Sequence, residues 1–254
     1  MRRYPSRDRQ YSSFSFGPGP LSPAIKILIA VNSCVFILTW LMPQALHQLV
    51  LEFFGLLPAE MFRGFRLWQP ATYMFLHGDI PHVLFNMLAL WMFGTELERM
   101  WGTTFFVRYY FTTGIAAAMT TIVVSLMPFA PAARMFDTVT IGASGAIYGI
   151  LLAYGLTFPN RPIYIYFVFP IPAKYFVMIM GAIAFLSAAG NSGSGIAHIT
   201  HLGGLLAGYA ILRAPRLSPA NEVRYRYLRW KMDRARKKFG VYSGGKNDWD
   251  KRIH

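Results

Sequence analysis

Charged residues are scarce in this chain of 254 residues. Asp, Glu, Lys and Arg together make up 14% of it, and only 11 residues are acidic. Soluble domains carry about 25% charged residues. Hydrophobic residues reach 54%, and several apolar runs approach the ~20 residues that cross a bilayer as a helix. The shortage of charge therefore excludes an ordinary soluble domain and predicts an integral membrane protein with helical spans.

Cysteine is nearly absent. The single one, Cys34, lies in an apolar run, which excludes an intrachain disulfide and a cysteine-rich metal site. The sequence also lacks an HExxH motif, and no carboxylate lies within the predicted spans beside the histidines. A zinc enzyme or transporter built on histidines alone is therefore disfavoured. We expect neither a metal nor a cofactor.

The excess of positive charge, +14 in total, lies at the two ends of the chain. Four arginines precede the first apolar run, and a larger basic cluster runs from Arg213 to Arg252. The positive-inside rule and anionic lipid head groups predict this distribution. Anionic lipids are thus favoured over nucleic acid as partners, and Val223 to Lys238 is predicted to be a membrane-surface helix. Residues 1–20 have no signal-peptide pattern, so we expect none.

The apolar runs predict an all-α bundle of six transmembrane helices. Their ranges are about 24–42, 81–98, 104–127, 144–158, 174–189 and 196–213. Residues 43–80 predict short interfacial helices in the first loop, and four prolines make 159–173 an extended connection. Loops are predicted at 128–140 and 190–195. The organisation is a disordered basic tail (1–22), a six-helix membrane domain (23–213) and a basic cytoplasmic tail (214–254).

Lys and Arg are concentrated on the side of the membrane that holds both termini. This bias predicts cytoplasmic termini in a multi-pass protein of a plasma membrane, the inner membrane of a bacterium. Glu96 and Glu98 then lie at the inner end of the second span. We expect them to form structural ion pairs with Arg99 or Arg108.

Small residues surround one serine in the run Gly142-Ala143-Ser144-Gly145-Ala146-Ile147-Tyr148-Gly149, which opens the fourth span. The first N–H groups of a helix have no intrahelical partner, so a serine there combines a hydroxyl with a free amide. Small residues at this spacing also occur where membrane helices pack closely. Taken alone, the run fits either interpretation.

The predicted topology brings polar residues of three spans to one leaflet. His82 and Asn86, spaced i and i+4, share a helix face near the outer end of the second span; Ser144 opens the fourth, and His198 and His201 lie near the outer end of the sixth. Such residues inside a membrane are costly and usually functional. A fourth span of about 15 residues is only ~22 Å long, which places Ser144 below the outer surface in a wet pocket.

Two pairs of glycines, Gly145 with Gly149 and Gly204 with Gly208, would let the fourth and sixth spans approach closely. That approach predicts a hydrogen bond between Ser144 and His201, the arrangement of an activated nucleophile. His82, Asn86 and the Ser144 N–H are donors suited to an oxyanion. We interpret His198 as a structural neighbour of His201, and His77 as an interfacial or loop-bracing histidine rather than a catalyst.

Three motifs in these spans resemble those of the rhomboid family of intramembrane serine proteases. They are the GxSG motif at Gly142 to Gly145, the HxxxN motif at His82 to Asn86, and the sixth-span histidine motif at Ala197 to Gly204. The resemblance covers about 24–213. One departure is Trp68-Gln69, where some members carry Trp-Arg, and it concerns the anchoring of the first loop.

The resemblance implies a serine endopeptidase with a Ser–His dyad and no third carboxylate, acting on transmembrane or juxtamembrane segments of membrane proteins. Ser144 would be the nucleophile and His201 the general base, with Tyr148 packed on the His201 ring and with Gly142 and Gly145 supporting the serine. Residues 190–195 would cap the cavity, and the fifth span would act as a lateral gate. A catalytically inactive member that only binds clients would share this fold, but such proteins typically lack the serine or the histidine.

Overall fold

The computed structural model of this protein describes residues 17–128, 130–165, 168–189, 195–217, 227–232 and 234. By its internal contacts the chain divides into two units, Met1–Ile211 and Leu212–His254. In the second unit, the described residues comprise the end of a helix that stops at Leu217 and a helical turn at 227–232. Most of the predicted surface helix from 223 to 238, and residues 1–16 of the predicted tail, lie outside the described residues.

Helices dominate the first unit. In chain order the described elements are α1 (Pro23–Trp40), α2 (Gln44–Phe54), α3 (Pro58–Arg63), α4 (Gln69–Thr72), a 3₁₀ turn (Tyr73–Phe75), α5 (Ile80–Ala89), a π-helical turn (Leu90–Gly94), α6 (Thr95–Trp101), α7 (Thr103–Ser125), α8 (Ala130–Phe136), α9 (Ser144–Thr157), β1 (Pro162–Ile165), β2 (Phe169–Pro172), α10 (Ala173–Ala189) and α11 (Gly195–Leu217). The predicted helical class is confirmed.

Helix α9 lies at the centre of the bundle. Its 14 residues carry no polar face, and most of them are buried. A helix that is apolar all round is surrounded by other elements, and here α7 packs along one side and α10 along another. At 1.5 Å per residue α9 is about 21 Å long, shorter than the ~30 Å hydrocarbon core of a bilayer. Ser144 is its first residue.

The predicted second span is one helical rod interrupted by a π-helical turn. Asp79 caps its start, because the carboxylate Oδ1 accepts from the His82 N–H at 2.7 Å. Gly94 ends the π turn where α1 comes close, since a Cβ there would lie 2.5 Å from Ile25 Cδ1. The rod stops at Gly102, whose φ of 79° favours glycine.

The first loop folds into the short helices α2, α3 and α4, as the mixed polarity of residues 43–80 predicts. Gln69, the residue that departs from the Trp-Arg pair noted above, is fully buried. Its Nε2 donates to the Glu52 carbonyl at 3.0 Å, and its Oε1 accepts from the Leu57 N–H at 3.0 Å. The neutral amide therefore ties α4 to the end of α2 by direct hydrogen bonds.

Two segments contain elements that the sequence did not predict. The loop predicted at 128–140 contains helix α8, whose alanines favour a helix and whose Ala132 and Met135 are buried. The predicted extended connection at 159–173 contains an antiparallel hairpin in which Ile163 pairs with Ile171. Neither element has the apolar pattern of a span. The sequence therefore predicts that these segments connect spans, but it does not predict the helix or the hairpin within them.

The expected ion pairs at the inner end of the second span are wrong in their partners. Glu96 pairs with Arg161, which follows α9, and accepts from the Tyr154 hydroxyl at 3.3 Å. Glu98 is 2% exposed and caps α1 instead, accepting from the N–H groups of Ala24 and Ile25 at 2.9 and 3.2 Å. Both acids are structural, but they join elements that are distant in sequence. Arg99 donates to the carbonyls of Pro18 and Pro20.

Large apolar side chains are exposed on several helices. Examples, all more than half exposed, are Leu84 and Phe85 on α5, Met178 and Leu186 on α10, and Leu206 on α11. Extensive apolar surface of this kind marks contact with a membrane or a partner. Within the described residues, α1 alone is long and apolar enough to count as a span by length and composition, and α9 and α10 are apolar but shorter.

Candidate active site

A tight loop delivers the chain to the start of α9. Leu56 and Thr140 exchange backbone hydrogen bonds of 2.9 and 2.8 Å, and the Gly142 N–H donates to the Tyr73 carbonyl at 2.9 Å. Gly142 has a φ of 117°, which side-chain-bearing residues rarely adopt. Two segments of the first loop thus fix the path of residues 140–142 immediately before Ser144.

The two glycine pairs of α9 and α11 face each other. A Cβ at Gly204 would lie 2.9 Å from the carbonyl carbon of Gly145 and nearer still to its oxygen, and a Cβ at Gly208 would lie 3.0 Å from the Gly149 Cα. Only glycine allows backbones to approach so closely. The contact brings the start of α9 against the middle of α11, where His201 lies one turn before Gly204.

Ser144 and His201 meet across this contact. The Oγ of Ser144 lies 2.8 Å from the Nε2 of His201, although 57 residues separate them in sequence. The Tyr148 ring stacks on the His201 imidazole, with centroids 4.2 Å apart and planes 5° from parallel. Among the described residues, none forms a hydrogen bond with the buried Nδ1 of His201. A serine hydroxyl next to an imidazole nitrogen is an arrangement that can produce a nucleophile.

His82 and Asn86 lie beside the loop that precedes Ser144. A Cβ at Gly142 would be 2.6 Å from the His82 Nε2 and 3.7 Å from the Asn86 Nδ2. Asn86 is 7% exposed, and its Nδ2 has no hydrogen-bond partner among the described residues. A buried amide donor is costly to leave unpaired. The Asn86 Nδ2 is therefore an unpaired hydrogen-bond donor, among the described residues, close to the backbone of Gly142 that leads to Ser144.

Two further histidines flank the site. His198 lies edge-on to His201 with ring centroids 5.5 Å apart, and His77 lies edge-on to His82 at 5.0 Å. His77 is 1% exposed. Burial, followed by the neighbouring His82, lowers the pKa of His77 from 6.5 to about 4, even though the Phe75 carbonyl and Asp79 favour the protonated ring. His77 is thus a neutral, buried ring rather than a solvated loop residue.

Tyr73 belongs to the same surroundings, but no role in the site was predicted for it from the sequence. Its carbonyl holds Gly142, and its hydroxyl lies beside Gly145. A tyrosine in a mixed, loop-like segment gives no signal of such a position. For metals, no group of three or more His, Cys, Asp or Glu side chains converges within the described part of the chain.

The family profile described as Rhomboid domain matches residues 64–214, more than half of the chain. The chain belongs to the rhomboid family. This match includes Ser144, His201, Tyr148, His82 and Asn86. Family membership also makes the chain a multi-pass membrane protein, in agreement with its composition and exposed apolar surface.

Several curated proteins are similar to this rhomboid chain. Rhomboid protein 1, mitochondrial, of Saccharomyces cerevisiae is 36% identical over 53% of this chain and 38% of its own length. Rhomboid protease GluP of Bacillus subtilis is 31% identical over 72% of this chain and 33% of its own length. Rhomboid protease AarA of Providencia stuartii is 29% identical over 60% of this chain and 57% of its own length. The matches therefore span roughly a third to a little over half of each relative, and the relatives include mitochondrial proteins.

Proposed function

We propose that this protein is an intramembrane serine endopeptidase that cleaves transmembrane or juxtamembrane segments of membrane proteins. The observation that carries the proposal is the 2.8 Å approach of the Ser144 Oγ to the His201 Nε2. Membership of the rhomboid family supports it, as does the naming of similar proteins as rhomboid proteases. No cofactor or metal ion is required for the chemistry proposed.

Ser144 is the nucleophile in this mechanism. Its Oγ attacks the scissile carbonyl carbon while the His201 Nε2 takes the hydroxyl proton, and a tetrahedral oxyanion forms. His201 then gives the proton to the departing amine as the C–N bond breaks, leaving an acyl-enzyme. Water repeats the sequence with His201 as the base, which releases the new carboxyl end and regenerates the serine. The Tyr148 ring, stacked parallel to the His201 imidazole, restricts the rotation of that imidazole.

The oxyanion hole consists of His82, Asn86 and the backbone N–H of Ser144. The Ser144 amide is the first of α9, where N–H groups lack intrahelical partners. The unpaired, buried Nδ2 of Asn86 supports its assignment as a donor, because an oxyanion would satisfy it in the transition state. Gly142 permits this arrangement, since any side chain there would collide with His82.

For the membrane arrangement, we propose six spans, an interfacial first loop and both termini in the cytoplasm. The site then lies in a water-filled cavity below the outer face, because α9 is shorter than the bilayer core is thick. Anionic lipids bind the basic tails. In this proposal the segment 190–195, of which residues 190–194 lie outside the described part, covers the cavity, and α10 opens to admit the substrate helix. A bacterial plasma membrane remains our proposal for its location.

A serine-reactive fluorophosphonate tests the nucleophile directly. We expect the purified protein in detergent to be labelled at Ser144, and to cleave a model membrane protein that has one transmembrane helix in liposomes. Ser144→Ala should abolish both activities, and His201→Ala should reduce both to background, with thermal unfolding unchanged within a few degrees. The matched control is Ser125→Ala, a buried serine at the last residue of α7 whose hydroxyl donates to the Ile122 carbonyl at 2.7 Å. Cleavage that persists in Ser144→Ala would contradict the assignment, and a protein that folds but neither reacts nor cleaves would be a binding member of the family.

A further inference from the structure

We infer that Tyr73 is a positioning residue that sets the geometry of the nucleophile, an inference that rests on the proposed function. Tyr73 does not touch the reacting atoms. Instead, it contacts the residues on both sides of the Ala143-Ser144 pair, through its backbone on one side and its side chain on the other.

The backbone contact acts on the loop before the serine. The Tyr73 carbonyl accepts the Gly142 N–H at 2.9 Å. This bond holds Gly142 at its unusual φ of 117°, with the backbone against His82 and Asn86. The same peptide segment continues directly into Ser144, so a displacement of Tyr73 would move the serine relative to the proposed oxyanion donors.

The side-chain contact acts on the residue after the serine. The Tyr73 hydroxyl donates to the Gly114 carbonyl on α7 at 2.7 Å. The same Tyr73 hydroxyl oxygen also contacts α9, since a Cβ added to Gly145 would lie 2.9 Å from it. Gly145 is thus enclosed by the Tyr73 hydroxyl on one side and by Gly204 of α11 on another. The absence of a side chain at Gly145 serves both contacts.

The surroundings make this anchor rigid. Tyr73 is completely buried and is the first residue of a 3₁₀ turn that joins α4 to the loop before α5. Burial, with a smaller contribution from Tyr110, raises the pKa of the Tyr73 hydroxyl far above its ordinary value. The hydroxyl therefore remains protonated and continues to donate throughout the range in which a protease is assayed. It can fix a position, but it cannot exchange protons with the substrate.

The test is Tyr73→Phe, which retains the ring and removes only the hydroxyl. Its matched control is Tyr109→Phe, because the Tyr109 hydroxyl makes the same kind of bond, 2.8 Å to the Gly149 carbonyl, from α7 to α9 beyond the serine. Tyr109 is equally buried, at 1% exposure. We would measure kcat and KM on the model substrate, and the rate constant and final stoichiometry of fluorophosphonate labelling, at a temperature where thermal unfolding shows both variants folded.

For Tyr73→Phe we expect kcat and the labelling rate constant to fall together by roughly ten- to a hundredfold, because a displacement of about 1 Å has an effect of this size. KM, the shape of the pH profile and the final labelling stoichiometry should stay at their wild-type values. Tyr109→Phe should lose a similar amount of thermal stability and keep the wild-type rates.

Three results would overturn the inference. They are a wild-type labelling rate in Tyr73→Phe, an equal slowing in both variants, and a loss of stoichiometry or of the folded state in Tyr73→Phe alone, which would make the residue purely structural. The wild-type and Ser144→Ala proteins, assayed in parallel, separate this failure from that of the proposed function. If wild type shows no labelling that depends on Ser144, the endopeptidase proposal fails and the inference falls with it.

Discussion

The contact between Gly204 of α11 and Gly145 of α9 offers a perturbation that leaves every reacting side chain chemically unchanged. Gly204→Ala adds one methyl group to α11. Without the contact to α9, this change would stabilise the helix, since alanine is favoured over glycine in helices by about 1 kcal/mol. Any loss of activity must then come from the fit between the two helices rather than from the chemistry of the side chains.

The size of the effect can be worked from the structure. The new Cβ would lie 2.9 Å from the carbonyl carbon of Gly145, whereas carbon atoms are at optimal separation at about 3.5–4.0 Å. The helices must therefore separate by about 1 Å. The 2.8 Å hydrogen bond between Ser144 and His201 would lengthen beyond the range in which such a bond exists. We expect a loss of about 100-fold in kcat, and of about 1–3 kcal/mol of stability from overpacking, offset in part by helix propensity.

The assay compares Gly204→Ala with Gly181→Ala on α10. At Gly181 the added Cβ would lie 3.5 Å from Leu205 Cδ1, an ordinary van der Waals distance, so this variant receives the same chemical change without a collision. Cleavage of the model substrate in liposomes gives kcat and KM, fluorophosphonate labelling reports the serine alone, and thermal unfolding in detergent reports stability. We expect Gly181→Ala to match wild type in both rates and to be slightly more stable.

Wild-type labelling of Gly204→Ala at unchanged stability would refute the reasoning, because it would mean that the two helices do not touch at this point. A second contradictory outcome is a loss of cleavage with unchanged labelling. That result would mean that Gly204→Ala impairs binding of the substrate helix and leaves the Ser144–His201 distance unchanged.

Two more predictions concern side chains around the serine. Asn86→Ala should lower kcat by roughly ten- to a thousandfold with little change in KM, because the other oxyanion donors remain; an unchanged kcat in liposomes would remove Asn86 from the hole. For His77, the folded-state pKa of about 4 lies below the unfolded value of 6.5, so the unfolded state binds more protons between these values. Stability should be complete above pH 6.5 and should fall by about 3 kcal/mol as the pH drops to 4. His77→Gln, which cannot titrate, should lose this part of the pH dependence of unfolding; equal slopes in the two proteins would contradict the prediction.

The helices that carry the site could be predicted from the sequence because each has a strong local signal. Apolar runs locate α1, α7, α9, α10 and α11 to within a few residues of their observed limits. The glycine spacing predicts which faces of α9 and α11 meet, since helices of such composition gain most from close backbone approach. The positions of Ser144, His201, His82 and Asn86 then follow from counting residues along three helices.

Elements held by contacts between distant segments could not be predicted in the same way. Helix α8 is stabilised by the burial of Ala132 and Met135. The β1–β2 hairpin is held by its antiparallel backbone pairing, and Ile163 is its one buried residue. Neither element follows a periodic pattern. Glu96 has Arg99 and Arg108 nearby in sequence and yet pairs with Arg161, because the fold brings the residue before the hairpin to the first turn of α6. Tyr73 is the most instructive case: its two contacts become visible only when the loop before α9 is in place.

The scarcity of acidic residues bears on how the site is organised. A serine hydrolase of a soluble fold orients its histidine with a carboxylate, but at the membrane depth we propose for this site a carboxylate would be costly. The buried Nδ1 of His201 has no hydrogen-bond partner among the described residues. Orientation must then come from packing. The parallel face of Tyr148 and the edge of His198 restrict the ring, while glycine contacts fix the distance between the helices. In the proposed mechanism, packing contacts rather than a carboxylate therefore hold the His201 base in position.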